Sequence, residues 1–391
     1  MTAAGPVSRL DAIDGLRAVA MTMVIAQHCH LLPMGWIGVW IFFGISGYVI
    51  SHSLYRNASG FAPLDAAAVG DFFWRRFVRI VPVYLLYVAI NLPFMLAEGQ
   101  AAQFGNLPWL LAFVFNWHMI FTFWPGPADW PAFGHLWTLS VEQQFYLLFP
   151  LLLMALAPRR RLAVFLLLAA CGPALRWLYA LAIADALPTP LERAFGVYAA
   201  SVCQFDAFLL GASLRLMQER GWLTRRLSNA AWGLGLAGFA VYAASYLLVN
   251  RADGATGVDL LRNVVSGIMA GAGREVWVYS AIDLLVFALL AHLLLGRAGA
   301  GLLAARPVVA VGRVSYGGYL FHALVLHLVS RAWLAPADAG VALRLALFAL
   351  VLGITLVLAQ LSYRNFERPL ARWLSTRRPT VTTGVADNAG A

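Results

Sequence analysis

Apolar residues fall in ten long blocks, near 16–32, 36–54, 80–97, 136–156, 162–183, 197–217, 230–249, 277–295, 307–329 and 341–363. Each is close to the roughly 20 residues an α-helix needs to cross a bilayer. Polar stretches rich in arginine, glycine and proline separate the blocks. The pattern predicts an all-α fold, a polytopic membrane helix bundle of about ten transmembrane helices. One further apolar stretch, Leu107–Phe123, carries Asn116 and His118 and is dense in aromatic residues. That mixture predicts an interfacial or re-entrant helix in place of a crossing.

Charge placement gives the orientation. With ten crossings, seventeen arginines fall on the N-terminal side of the membrane and only five on the opposite side. Basic residues collect in the cytoplasm, so both termini are expected there. Counting 107–123 as a span would move Arg159, Arg160 and Arg161 outside, against that rule. Residues 1–378 read as one integral-membrane domain, beginning with an uncleaved signal-anchor. Residues 379–391 read as a small, polar, disordered tail.

Composition supports this picture. Of 391 residues, 61% are hydrophobic and 12% charged, and the mean hydropathy is +0.75. A soluble domain cannot hide that much apolar surface. The net charge of +10 would point to nucleic acid in a soluble protein, whereas here the topology accounts for it, and no nucleic acid partner is expected. Cys29, Cys171 and Cys203 are scattered without ligand-like spacing, so neither a disulfide framework nor a metal site is indicated. His28 and His30 are two apart on a helix and point to different sides, which argues against a metal between them.

Six arginines lie at or within the apolar blocks: Arg17, Arg79, Arg176, Arg215, Arg313 and Arg344. Few acids are available to meet them: Asp14, Glu142, Asp206, Asp283 and Glu367. Intramembrane cations need partners or an anionic ligand. Arg17 and His28 are eleven residues apart, nearly a whole number of turns, so they share one helix face about 16 Å apart. Arg76 and Arg79 also share a face and suit phosphate groups, which arginine binds in bidentate fashion. Arg75 reads as a positive-inside anchor. Glu142 is a carboxylate at membrane depth, with His135 and Ser140 at a similar level. A carboxylate beside His28 could fix its tautomer and raise its basicity. Tyr319 and His322 share a face of a late helix. Gly44, Ser46 and Gly47 read as small residues for close helix packing.

In this order the stretches resemble the acyltransferase 3 family of integral-membrane O-acyltransferases, which includes enzymes that acetylate bacterial surface polysaccharides. The resemblance runs from about Leu10 to Pro369. It rests on Asp14-Gly15-Leu16-Arg17 with the Arg17/His28 pair, on the glycine- and phenylalanine-rich Gly38–Gly47, and on Arg76 and Arg79 before Pro82. It rests also on His135-Leu136-Trp137 with Ser140, Glu142, Tyr146 and Pro150, on Ser315, Tyr316, Tyr319 and His322, and on Glu367 with Pro369. The resemblance implies an acyl-CoA co-substrate, acetyl-CoA foremost, with no permanently bound cofactor. It implies a carbohydrate or glycolipid acceptor and a bacterial inner membrane. It also implies a proton-accepting role for His28 and donor handling by Arg76 and Arg79. Many members carry an acid where this chain has Trp40, so that acid's role is not carried over. The periplasmic hydrolase-like domain of some members is absent from this sequence. On this reading His28 is the general base, Glu142 orients it, and Arg17 guides the donor inward. A transporter or flippase for a lipid-linked sugar or anion is the competing expectation, and a scaffold whose polar groups only fix helix registry is another.

Overall fold

The computed structural model describes residues 9–55, 59–122, 130–257, 260, 273–332 and 340–376. The expected disordered tail, 379–391, lies outside the described residues. Among these residues all regular structure is helical. The chain runs through α1 (Arg9–His28), α2 (Ile37–Leu54), α3 (Ala66–Ala97), α4 (Leu107–Leu111), α5 (Phe115–Thr122) and α6 (Trp137–Ala155). It continues through α7 (Arg161–Ala170), α8 (Gly172–Ala182), α9 (Pro190–Ala199), α10 (Phe205–Glu219) and α11 (Arg225–Ala252). It ends with α12 (Arg274–Leu294), α13 (Ala300–Leu303), α14 (Arg306–Arg313), α15 (Ser315–Ala332), α16 (Val341–Ser362) and α17 (Arg368–Thr376). One π turn, Tyr363–Glu367, joins α16 to α17 without a break.

All ten apolar blocks fall on helix. By length and composition five described helices are fit to cross a membrane, or up to seven if each bent pair is one span. The pairs are α7 with α8, bent by 49°, and α14 with α15, bent by 67°. The other three blocks fall short for visible reasons. α1 carries Asp11, Asp14 and Arg17, α6 carries Glu142, Gln143 and Gln144, and the block near 197–217 is interrupted at Ala200–Gln204. The stretch from 107 divides into α4 and α5, of 5 and 8 residues. Phe113 between them has a left-handed φ of 54°. Eight residues rise only about 12 Å, well short of a bilayer.

α2 forms the centre. Its most apolar stretch is 67% buried, against 17% for α11 and 22% for the run from α16 to α17, so α11 and α16 form the outer, lipid-facing layer. α2 packs along α1, α10 and α12. The α2–α10 seam needs glycine: a methyl group on Gly47 would overlap the Phe208 backbone carbonyl, and one on Gly211 would overlap that of Gly44. The small-residue reading of Gly44 and Gly47 therefore describes their packing. Because the obstacle is backbone, Gly47→Ala is expected to cost about 1–3 kcal/mol. A lowered thermal midpoint in detergent would show it. Gly233, which faces open space on α11, provides a control that tolerates alanine.

Polar ties fix the remaining helices. Arg176 of α8 is buried and donates to Asp206 of α10 at 2.7 Å, to the Cys203 carbonyl at 2.7 Å and to the Val276 carbonyl at 2.9 Å; it also bonds Ser280 of α12. Arg161, also buried, caps the carbonyls of Gly60, Ala62 and Leu153. Glu98, just past α3, accepts from His327 of α15 at 3.0 Å and pairs with Arg331.

Candidate active site

α1, α2, α3, α6 and α15 surround a cavity of about 60 Å³. Arg17, Ser46, Arg76, Arg79, Glu142 and Tyr146 supply much of its polar lining, and Thr138, Tyr316 and Tyr319 complete it. Arg17, Val49, Arg79 and Tyr316 also line a second space of about 700 Å³, so the two adjoin across these side chains. The larger space is a vestibule bounded by Asp14, Arg313, Glu367 and α17. A side opening of about 360 Å³ reaches Arg75, Arg76 and Arg79. The result is a funnel, broad where arginines gather and narrow where α6 meets α2.

The helical spacings explain this convergence. Arg76 and Arg79 occupy one face of α3, and Glu142 and Tyr146, four residues apart, one face of α6. The Glu142 carboxylate accepts from the Ser46 hydroxyl and from the Tyr146 phenol, and Tyr146 lies 3.2 Å from Ser46. The guanidinium of Arg76 lies 5.4 Å from the centre of the Tyr146 ring, a cation–π distance.

The arginines within the apolar blocks divide into two groups. Arg176 pairs with Asp206, Arg215 with Glu219 at 2.8 Å, and Arg313 with Asp11 at 3.5 Å and Asp14 at 3.9 Å. Arg344 donates to the His30 carbonyl at 3.1 Å. Arg17 and Arg79, together with neighbouring Arg76, have no hydrogen bond or ion pair among the described residues, and the Nε atoms of Arg17 and Arg76 are buried without a partner. These are the arginines that line the funnel.

The histidines assemble beyond the narrow end. The rings of His28 and His322 lie 5.3 Å apart, and those of His135 and His322 4.9 Å apart. His322 is 1% exposed and His135 7%, whereas His28 is exposed at the end of α1. His322 Nδ1 lies 2.6 Å from the Tyr319 carbonyl. A carbonyl only accepts, so Nδ1 carries the proton and Nε2 keeps a free lone pair. Among the described residues that Nε2 has no hydrogen-bond partner, nor does either ring nitrogen of His135. Tyr319 links this cluster to the funnel: its hydroxyl lies 2.8 Å from Thr138 Oγ1, and its ring 5.4 Å from His322. Among the described residues no group of three or more His, Cys, Asp or Glu is placed to hold a metal ion.

Two expectations are revised. Glu142 is not placed beside His28; its carboxylate is held by Ser46 and Tyr146. The seven residues from His135 to Glu142 carry the chain about 10 Å toward the vestibule, which separates the carboxylate from the histidines. Ser140 does not reach the funnel: it is buried, and its hydroxyl turns back to the Leu136 carbonyl at 3.5 Å. Asp14 lines the vestibule, where it faces Arg313. Trp40 is fully buried and stacks on Tyr279 at 4.9 Å, away from the funnel. Sequence reasoning did not find Ser46, Thr138 or Tyr316 as site residues. Tyr146 left a signal through its four-residue spacing from Glu142, and Tyr316 through the Ser315-Tyr316 stretch of the family resemblance.

A funnel lined by arginines with a histidine cluster beyond its narrow end, set inside a bundle of apolar helices, is the site of an integral membrane protein. The chain belongs to the acyltransferase 3 family, whose acyltransferase domain matches residues 10–364. It is 25% identical to the O-acetyltransferase OatA of Staphylococcus aureus over 379 residues, 93% of this chain and 57% of that protein. It is 27% identical to the putative peptidoglycan O-acetyltransferase YrhL of Bacillus subtilis over 384 residues, 92% of this chain and 55% of the relative. A 156-residue stretch is 33% identical to the peptidoglycan O-acetyltransferase OatA of Listeria monocytogenes, covering 37% and 24% of the two chains. The chain thus spans about half the length of these two curated relatives. No solved structure matches.

Proposed function

We propose that the protein is an O-acetyltransferase that moves an acetyl group from acetyl-CoA to a hydroxyl of a cell-envelope carbohydrate or glycolipid. The names of its relatives make peptidoglycan the first acceptor to test. The observation that carries the reading is the funnel with its unpartnered Arg17, Arg76 and Arg79. Acyl-CoA has a bulky anionic head and a thin, uncharged arm, a shape that matches a wide basic vestibule tapering to a narrow cavity. In the proposed topology the chain crosses the bacterial inner membrane about ten times, residues 1–378 form the membrane domain, and the vestibule and both termini are cytoplasmic.

In the reaction, His28 takes the proton of the acceptor hydroxyl as its oxygen attacks the thioester carbonyl. Collapse of the tetrahedral intermediate breaks the carbon–sulfur bond, and the imidazolium returns the proton to the departing thiolate. His322, with Nδ1 held by the Tyr319 carbonyl, packs against His28 and sets its ring position. The thioester reaches the histidines once the Thr138–Tyr319 hydrogen bond opens. Glu142, with Ser46 and Tyr146, balances the arginine charge while the funnel is empty.

The test is titration of acetyl-CoA into protein held in nanodiscs, read as binding and as slow thioester hydrolysis. A hydrogen bond to a charged group contributes about 1.5–3 kcal/mol, so Arg79→Ala is expected to weaken binding about 10- to 100-fold. If folded wild-type protein binds neither acetyl-CoA nor a longer acyl-CoA, the proposal fails and the transporter reading takes its place.

A further inference from the structure

α17 forms one wall of the vestibule. α17 lies beyond the matched stretch 10–364. It packs against α3 and places Arg368 and Arg372 on the vestibule lining. These two are four residues apart and share one helix face. The run from Val341 to Thr376 is 36 residues long, or about 54 Å as helix, against a hydrocarbon core of about 30 Å. Its last turns therefore project past the apolar layer, on the same side as Asp14 and Arg313. No hydrogen bond or ion pair engages either guanidinium among the described residues, whereas Arg313 meets Asp11 and Asp14, and Arg75 meets Asp71 at 3.8 Å. Of the two acids in the wall, Asp14 faces Arg313 and Glu367 accepts from Ser362 at 2.9 Å. That leaves Arg17, Arg79, Arg368 and Arg372 as the cations of the vestibule with no hydrogen bond or ion pair among the described residues.

We infer that Arg368 and Arg372 bind the 3′-phosphate of CoA, while Arg17 and Arg79 take the diphosphate nearer the funnel. The inference rests on the acetyl-CoA reading above. Charge count favours it: a diphosphate diester together with a phosphomonoester carries about four negative charges at neutral pH, which suits the four guanidiniums of the vestibule wall, Arg76 lying deeper against Tyr146. A thioester on a carrier protein presents the same arm on a single phosphodiester and would leave most of these cations unmet. The donor is therefore the soluble CoA thioester itself, and α17 makes the enzyme selective for it.

The experiment compares CoA with 3′-dephospho-CoA on the full chain in phosphatidylcholine nanodiscs. Wild-type protein is expected to prefer CoA by about tenfold or more, the scale of one charge-assisted contact. The R368A/R372A variant is expected to bind the two alike, and R368K/R372K, which keeps the charge but loses the planar fork, to fall between. An unchanged thermal midpoint shows that the variants are folded. A variant that keeps the wild-type preference overturns the 3′-phosphate assignment and leaves the donor reading standing. Wild-type protein that binds neither ligand removes both. Phosphatidylglycerol is the other source of phosphate: if adding it weakens CoA binding only in wild type while R368A/R372A still prefers CoA, these arginines hold lipid headgroups and the inference is wrong.

Discussion

His28→Ala is expected to lower acetyl transfer by about 10²- to 10⁴-fold, the usual worth of a positioned general base, with donor affinity retained. The separation follows from geometry. Arg17 stands eleven residues, about 16 Å, before His28, which ends α1 against His322. His28→Gln tests the same point with a side chain that keeps polar contacts but cannot serve as the base. Single-turnover transfer from radiolabelled acetyl-CoA, set beside equilibrium binding, separates the two effects. Near-normal transfer by a folded alanine variant would show that another group takes the acceptor's proton, and His322, with its free Nε2, would be next to test.

On stability the largest effect is expected at Arg176. Arg176→Met removes the cation that joins α8, α10 and α12 and leaves Asp206 buried without its partner. Breaking a buried pair from one side typically costs about 3–5 kcal/mol. Asp283, also buried, sits on α12 near Asp206 and loses the same nearby positive charge. The expected result is a large fall in the thermal midpoint and in the yield of monodisperse protein. Activity per folded molecule should stay near wild type, since Arg176 lies outside the funnel and the histidine cluster. A variant with wild-type stability would mean that the charge is not needed and the pocket closes around methionine.

How far the sequence carried can be seen in particular side chains. Every apolar block read from hydropathy fell on helix, whereas the short α13 and the polar α17 lie outside those blocks. Hydropathy did not foresee the break between α9 and α10 or the bend before Ser315, which depend on what packs beside them. Periodicity put Arg17 and His28 on one face and Arg76 and Arg79 on another, and these groups do line the site or its far end. It could not choose the neighbour of Glu142. The Ser46 hydroxyl that meets the carboxylate belongs to another helix, read only for its small size. The contact between His135 and His322 was hidden for the same reason: it joins residues 187 apart in the chain.

The π turn at Tyr363–Glu367 has a consequence for how α17 is aimed. A π turn accommodates one residue more than an α turn, and one residue corresponds to a rotation of about 100° around the helix axis. Shortening that turn to plain α geometry would swing Arg368 and Arg372 off the vestibule wall while every apolar contact of α16 stayed in place. The facing of these two cations is thus set by a residue count several positions upstream of them. A chain could keep both arginines in its sequence and still aim them into solvent.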